Sequence, residues 1–112
     1  MRISEKIKSV IEGKVVVLCT IKDKENPNAI VVEANKFSGD KLLITDNYMN
    51  QTLKDIKENE NVLVITWDEE KGYKLIGKAS YYTEGEYFDI VKPLNKEFPC
   101  KGVVVIKVAK II

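Results

Sequence analysis

The chain predicts a small, mostly antiparallel β-barrel plugged by short helices. Six apolar, largely β-branched runs of strand length are punctuated by turn residues. Only three short segments carry a helical period, and they interrupt the strands in the order α-β-β-β-α-β-β-α-β. The strand count excludes a helical bundle, and the missing G-x-G-x-x-G excludes a dinucleotide-binding doubly wound sheet. A length of 112 residues fits one domain spanning 1–112.

The elements follow in order. Ile3, Ile7, Val10 and Ile11 recur at helical spacing, with Lys6, Lys8 and Glu12 on the opposite side, and Gly13 stops the helix. Lys14–Ile21 is too uniformly apolar for a surface strand and reads as a central strand buried on both faces. Asp23–Asn28 is a turn broken by Pro27. Ala29–Phe37 is the second strand, Ser38-Gly39-Asp40 a hairpin turn, and Lys41–Thr45 the third strand of a meander.

Asp46-Asn47 can then cap a helix carrying Met49, Leu53 and Ile56 through Glu58. Val62–Trp67 is the fourth strand and Asp68–Gly72 a charged turn. Tyr73–Tyr82 is the fifth strand, with Gly77 a bulge or bend. Thr83-Glu-Gly-Glu86 fits a capping box ahead of a third helix with Tyr87, Phe88, Ile90 and Val91, ended by Pro93. Leu94–Lys101 is a loop, and Gly102–Val108 is the sixth strand.

Composition narrows the function. Lys+Arg 18 against Asp+Glu 17 leaves a net charge of +1, which argues against nucleic acid as partner. There is no histidine, so a Ser-His-Asp triad, a histidine base and a histidine-ligated zinc are all excluded. Cys19 and Cys100 sit in no CxxC pair; a disulfide framework is not expected, and neither is a metal site. Cys19 reads as a small core residue, and Cys100 lacks a histidine to activate it. The longest apolar run, Val15–Cys19, is too short to span a membrane, and the amphipathic start is unlike a signal region, so a cytoplasmic location is expected.

The informative stretch is Thr45-Asp-Asn-Tyr-Met-Asn-Gln-Thr52, which runs from a strand end into a helix start. Helix N-termini offer unpaired N–H groups and the positive dipole end, and so hold phosphate without a large basic cluster. Asn50 and Thr52 add donors. A plain helix cap with exposed neighbours explains the same residues, and both readings stand on local sequence. Thr20, in the first strand, lies outside this stretch and serves as a remote reference for Thr52. Tyr73, Tyr81 and Tyr82 invite a third reading, an OB-like binder that stacks bases, although strand packing accounts for them better at neutral charge.

With these residues in place, Asn28–Trp67 resembles the flavin mononucleotide (FMN)-binding split-barrel family related to pyridoxamine 5'-phosphate oxidase. The resemblance rests on Ile30–Phe37, on Thr45–Thr52, and on Leu53–Asn59 followed by Val62–Trp67. Gly72–Ala79, Thr83 and Glu86 extend it over most of the chain, nearest the short prokaryotic members.

The resemblance implies a six-stranded antiparallel split β-barrel and a homodimer with one FMN per subunit at the interface. It also implies a phosphate near Asn50, Gln51 and Thr52, a ring along Glu33, Ala34 and Asn35, and Thr45, Asp46 and Asn47 on the ribityl side. Phe98 of the partner subunit would close the site, and the apolar Phe98-Pro99-Cys100 segment suits such a contact. Many relatives carry a basic residue where this chain has Gln51, and most of the oxidase's substrate-binding arginines and its histidine have no counterpart here. The implied activity is a reductase or electron-transfer flavoprotein with an unknown donor and acceptor; the alternative is a non-enzymatic flavin-binding or sensor module on the same barrel.

Overall fold

The computed structural model describes residues 1–21, 26–94 and 98–112. Of the turn expected at Asp23–Asn28, residues 23–25 lie outside the described residues, as does the centre of the loop after Leu94, while Pro27 and Asn28 belong to a strand instead, paired with Ile21 and Thr20.

Helix α1 (Glu5–Ile11) starts where the Ser4 hydroxyl accepts the Ile7 N–H at 3.3 Å, and it buries Ile7 and Ile11. Gly13 ends it at φ 72°. The strands are β1 (Val15–Ile21), β2 (Pro27–Glu33), β3 (Lys36–Ser38), β4 (Lys41–Asp46), β5 (Asn61–Trp67), β6 (Gly72–Tyr82) and β7 (Gly102–Ile111). Helix α2 (Gln51–Glu58) lies between β4 and β5, and α3 (Glu86–Val91) lies between β6 and β7, continued by a 3-10 turn over Lys92–Leu94.

All seven strands form one antiparallel sheet in the order β2-β1-β5-β6-β7-β4-β3. The class matches expectation, but there are seven strands where six were expected. The expected strand Ala29–Phe37 breaks at Ala34-Asn35, because Ala34 spends its N–H on Lys14 O and its C=O on Gly13 N–H while the Asn35 N–H turns to Leu43 O. The expected meander is therefore replaced by two hairpins at opposite edges, β1–β2 and β3–β4, and β4 pairs with β7. Two residues link one edge strand to the other, so the edges meet at that corner and the sheet curls without closing its ladder.

The enclosed core takes alternate residues from the strands: Val16 and Leu18, Leu42 and Ile44, Val62 and Val64, Tyr73 and Leu75, Val104 and Ile106, with Ile7, Ile11 and Ile56 from the helices. A second, smaller core lies outside the sheet, where Val91 of α3 packs on Leu43, Val103 and Val105. Among the described residues, no helix packs over the outer face of β1. It is buried on its inner face alone, not on both, and Val15 is exposed.

Gly77 marks a register shift against β7, where an added Cβ would strike the Lys107 carbonyl. Two expected caps are not formed. The N-cap of α3 is Gly85, at φ 98° with no side-chain bond, so Glu86 is the first helical residue and cannot close a box with Thr83. Helix α2 starts later than Asp46-Asn47 would place it, with Asn50 at its N-cap. The three tyrosines of the stacking reading go to packing instead. Tyr73 is in the core, Tyr81 packs against it, and Tyr82 meets Tyr87 at 5.8 Å between ring centroids.

A candidate ligand cleft at the split in the sheet

Where β2 parts from β4, the chain leaves a cleft of about 490 Å³. Ile30, Val31, Val32 and Glu33 of β2 form one wall, and Asn35, Thr45 and Asn47 continue it across the corner. Tyr48, Met49 and the start of α2 (Asn50, Gln51, Thr52) form the other, with Phe98 at the rim. Eight of the ten residues singled out in the sequence therefore share one cavity: Glu33, Asn35, Thr45, Asn47, Asn50, Gln51, Thr52 and Phe98. Ala34 and Asp46 do not line it; both are fully buried behind its wall. Phe98 reaches the cleft of its own chain.

Hydrogen bonds hold the wall in shape. Asn35 Oδ1 accepts from the Thr45 N–H at 2.8 Å and from the Thr45 hydroxyl at 2.9 Å, pinning the corner to the end of β4. Asp46 Oδ1 accepts the Met49 N–H at 2.8 Å, so its carboxylate shapes the turn before α2 rather than capping the helix. Its Oδ2 takes the Tyr81 hydroxyl at 2.5 Å. Gly102, the register partner of Asp46, leaves room for that ring, since any Cβ there would collide with the Tyr81 hydroxyl. Burial, then the bond to Asp46, pushes the Tyr81 hydroxyl well above the ordinary tyrosine range. Burial also pushes the Cys100 thiol up, which opposes a nucleophilic role for it.

The rim is aromatic. Tyr48 and Phe98 meet edge to face at 6.2 Å, Asn47 Nδ2 donates to Pro99 O at 2.9 Å, and Lys101 Nζ sits 5.4 Å from the centre of the Tyr48 ring. Among the described residues lining the cleft, Glu33 is the one charged side chain.

Behind Gln51 and Thr52 lies a polar network that sequence reasoning missed. Asp55, on the inner face of α2, accepts the Thr20 hydroxyl at 2.7 Å and Gln51 Nε2 at 2.8 Å. Asn28 Nδ2 donates to Thr20 Oγ1 at 3.2 Å and to Thr52 Oγ1 at 3.1 Å. Thr20, taken as a remote reference, is thus two hydrogen bonds from Thr52. A signal existed: Thr52, Asp55 and Ile56 share one helical face, and a hydroxyl breaks the apolar run of β1.

Chemically, the cleft can hold a ligand with an apolar body and an oxygen-rich end. The N–H groups of Gln51, Thr52 and Leu53 have no carbonyl to bond within the helix, and the Asn50 side chain caps none of them. Those donors and the helix dipole suit an anion.

Known proteins share both sequence and fold. The sequence matches the family described as pyridoxamine 5'-phosphate oxidase over residues 3–111. An uncharacterised protein of Methanocaldococcus jannaschii is 34% identical, the match covering 99% of this chain and 80% of that protein. The crystal structure of HupZ from Group A Streptococcus superposes with a TM-score of 0.86 at 24% identity, covering 97% of this chain and 91% of that one. An FMN-binding protein from Syntrophomonas wolfei superposes with a TM-score of 0.75 at 24% identity, covering 95% and 79%. With nearly its whole length matched and its split sheet shared, the chain belongs to the pyridoxamine 5'-phosphate oxidase family.

Proposed function

We propose that the protein binds FMN in this cleft, as a homodimer, and acts as a reductase or electron-transfer flavoprotein. The observation that carries the reading is the cleft, whose volume falls within the ~300–1,000 Å³ of small-molecule and cofactor sites. Its residues fit the cofactor. Ile30 and Val32 give a planar ring an apolar wall beside Glu33 and Asn35, Thr45 and Asn47 face the ribityl side, and Asn50, Gln51 and Thr52 would hold the phosphate. Bound flavin supplies hydride or one-electron chemistry, and the chain's residues bind it, orient it and exclude water. No Lys or Arg among the described residues lines the cleft, so the phosphate is met by neutral donors and the helix end.

The bare outer face of the sheet supports the dimer. Val15, Val17, Cys19, Val31, Leu63, Ile65, Trp67 and Ile76 lie on it, and Val31, 69% exposed, also lines the cleft. A second copy seated there would cover apolar surface and approach the ligand together.

Purified protein with a flavin absorption band, or apoprotein that takes up one FMN per chain on titration, is the expected result. A colourless protein that takes up no FMN overturns the reading. A stable monomer at micromolar concentration in sedimentation overturns the dimer.

A further inference from the structure

We propose that Asp55, Thr20 and Asn28 form a buried relay that fixes the Thr52 hydroxyl as a hydrogen-bond donor into the cleft, so that this end selects a phosphate-bearing ligand. The ligand's identity as FMN rests on the reading above; the relay does not.

The direction of every bond follows from proton counting. The carboxylate of Asp55, 1% exposed, has only acceptors to offer. Its Oδ2 takes the single proton of Thr20, at 2.7 Å, and its Oδ1 takes Gln51 Nε2 at 2.8 Å. With its proton spent, the Thr20 oxygen can only accept, so Asn28 must turn its amide nitrogen and not its carbonyl toward it. The other amide hydrogen then goes to Thr52 Oγ1. That oxygen already accepts, and the proton it carries has no acceptor among the described residues. Thr52 is 2% exposed yet lines the cleft.

A buried donor left unmade is costly, so the site favours a ligand that accepts. The main-chain N–H groups at the start of α2 lie at the same end. Donors converge there and no cation is among the described lining residues, which matches a phosphate monoester or free phosphate held by these hydrogen-bond donors.

The test titrates wild type, Thr52→Val, Thr20→Val, Thr20→Ser and Asn28→Asp with FMN and with riboflavin, and measures the shift in melting temperature with inorganic phosphate. Asn28→Asp turns the amide donor into an acceptor that captures the Thr52 proton. Thr52→Val, Thr20→Val and Asn28→Asp should each weaken FMN binding about five- to tenfold, with riboflavin changed less than about twofold. Thr20→Ser keeps the hydroxyl and should restore FMN affinity. The double variant of Thr20→Val and Thr52→Val should lose no more than Thr52→Val alone. Should Asn28→Asp fail to fold, the two Thr20 variants carry the same comparison.

Equal losses for both flavins, Thr20→Ser no better than Thr20→Val, or additive losses would overturn the relay. If wild type takes up neither flavin, but phosphate raises its melting temperature and fails to raise that of Thr52→Val or Thr20→Val, the relay stands and the flavin reading falls. If FMN binds no better than riboflavin and phosphate gives no shift, the relay has no ligand and the proposal falls.

Discussion

The two halves of the sheet's outer face differ in what covers them. Over β4 and β7, Leu43, Val103 and Val105 are sealed by α3 through Val91, with Tyr87, Phe88 and Ile90 around them. Over β2, β1, β5 and β6, a comparably apolar surface is left open, and Trp67 and Ile76 remain 52% and 40% exposed. Both halves alternate, as half-buried antiparallel strands do, but in both many of the outward residues are apolar, with Lys74, Lys78 and Glu33 among them on the open half. Among the described residues a helix covers one half and none covers the other, and the open half is where the proposed dimer would seat its second copy.

Four experiments break or sharpen this contrast. The largest effect is expected from Val17→Glu at the centre of the open half, between Val31 and Ile65. An unpaired charge buried in an interface costs about 3–5 kcal/mol, so dimer affinity should fall at least a hundredfold in sedimentation while the chain keeps its circular dichroism spectrum. If Val17→Glu leaves the association unchanged, the open half is not the interface. Leu43→Ala should behave in the opposite way. It empties the sealed core and should lower unfolding free energy by about 2–5 kcal/mol in urea, with no direct effect on the interface.

The third experiment addresses the join between the halves, at β6 and β7, where Tyr81 donates to Asp46. Burial and that bond raise the Tyr81 pKa above its ordinary value of about 10. A folded value raised above the unfolded one contributes stability that is complete below about pH 10 and is lost as pH climbs toward the folded value. Urea midpoints should thus fall more steeply above about pH 10 in wild type than in Tyr81→Phe, which has no proton to lose. Parallel alkaline profiles would mean that this bond does not bind the halves. The smallest effect is expected at Thr66, on the inner face of β5, whose buried hydroxyl oxygen has no partner among the described residues. Thr66→Val keeps the shape and removes the polar atom, so stability should change by zero to about +1 kcal/mol.

Much of this was legible in the letters. The β-branched runs 15–19, 62–66 and 103–106 have no other stable fate than strands, and Gly13, Gly39 and Gly77 fall at a helix stop, a hairpin turn and a bulge, as their chemistry demands. The break at Ala34-Asn35 was not legible, because it is enforced by main-chain bonds to Gly13, Lys14 and Leu43 that no local pattern encodes. The caps at Asp46 and Thr83 misled for a similar reason: each side chain has the right chemistry, but the chain turns again before its helix begins. Of the cleft, the polar run 45–52 marked the rim and the helix start. The network behind Thr52 joins Thr20, Asn28 and Asp55 from three elements, and each alone looks like an ordinary strand or helix residue.

Strand β7 has a consequence for the order in which the molecule can assemble. It is hydrogen-bonded between β6 and β4, and both of those strands are synthesised before it. Until residues 102–111 leave the ribosome, the β3–β4 hairpin has no ladder joining it to the four-stranded remainder, and Leu43 has neither Val103 nor Val105 to pack against. The nascent chain therefore carries two sticky fragments with open edges, which is when off-pathway pairing is most dangerous. The pairing that joins β4 to β6 thus runs through the last strand of the sequence, and non-local pairing of this kind slows folding.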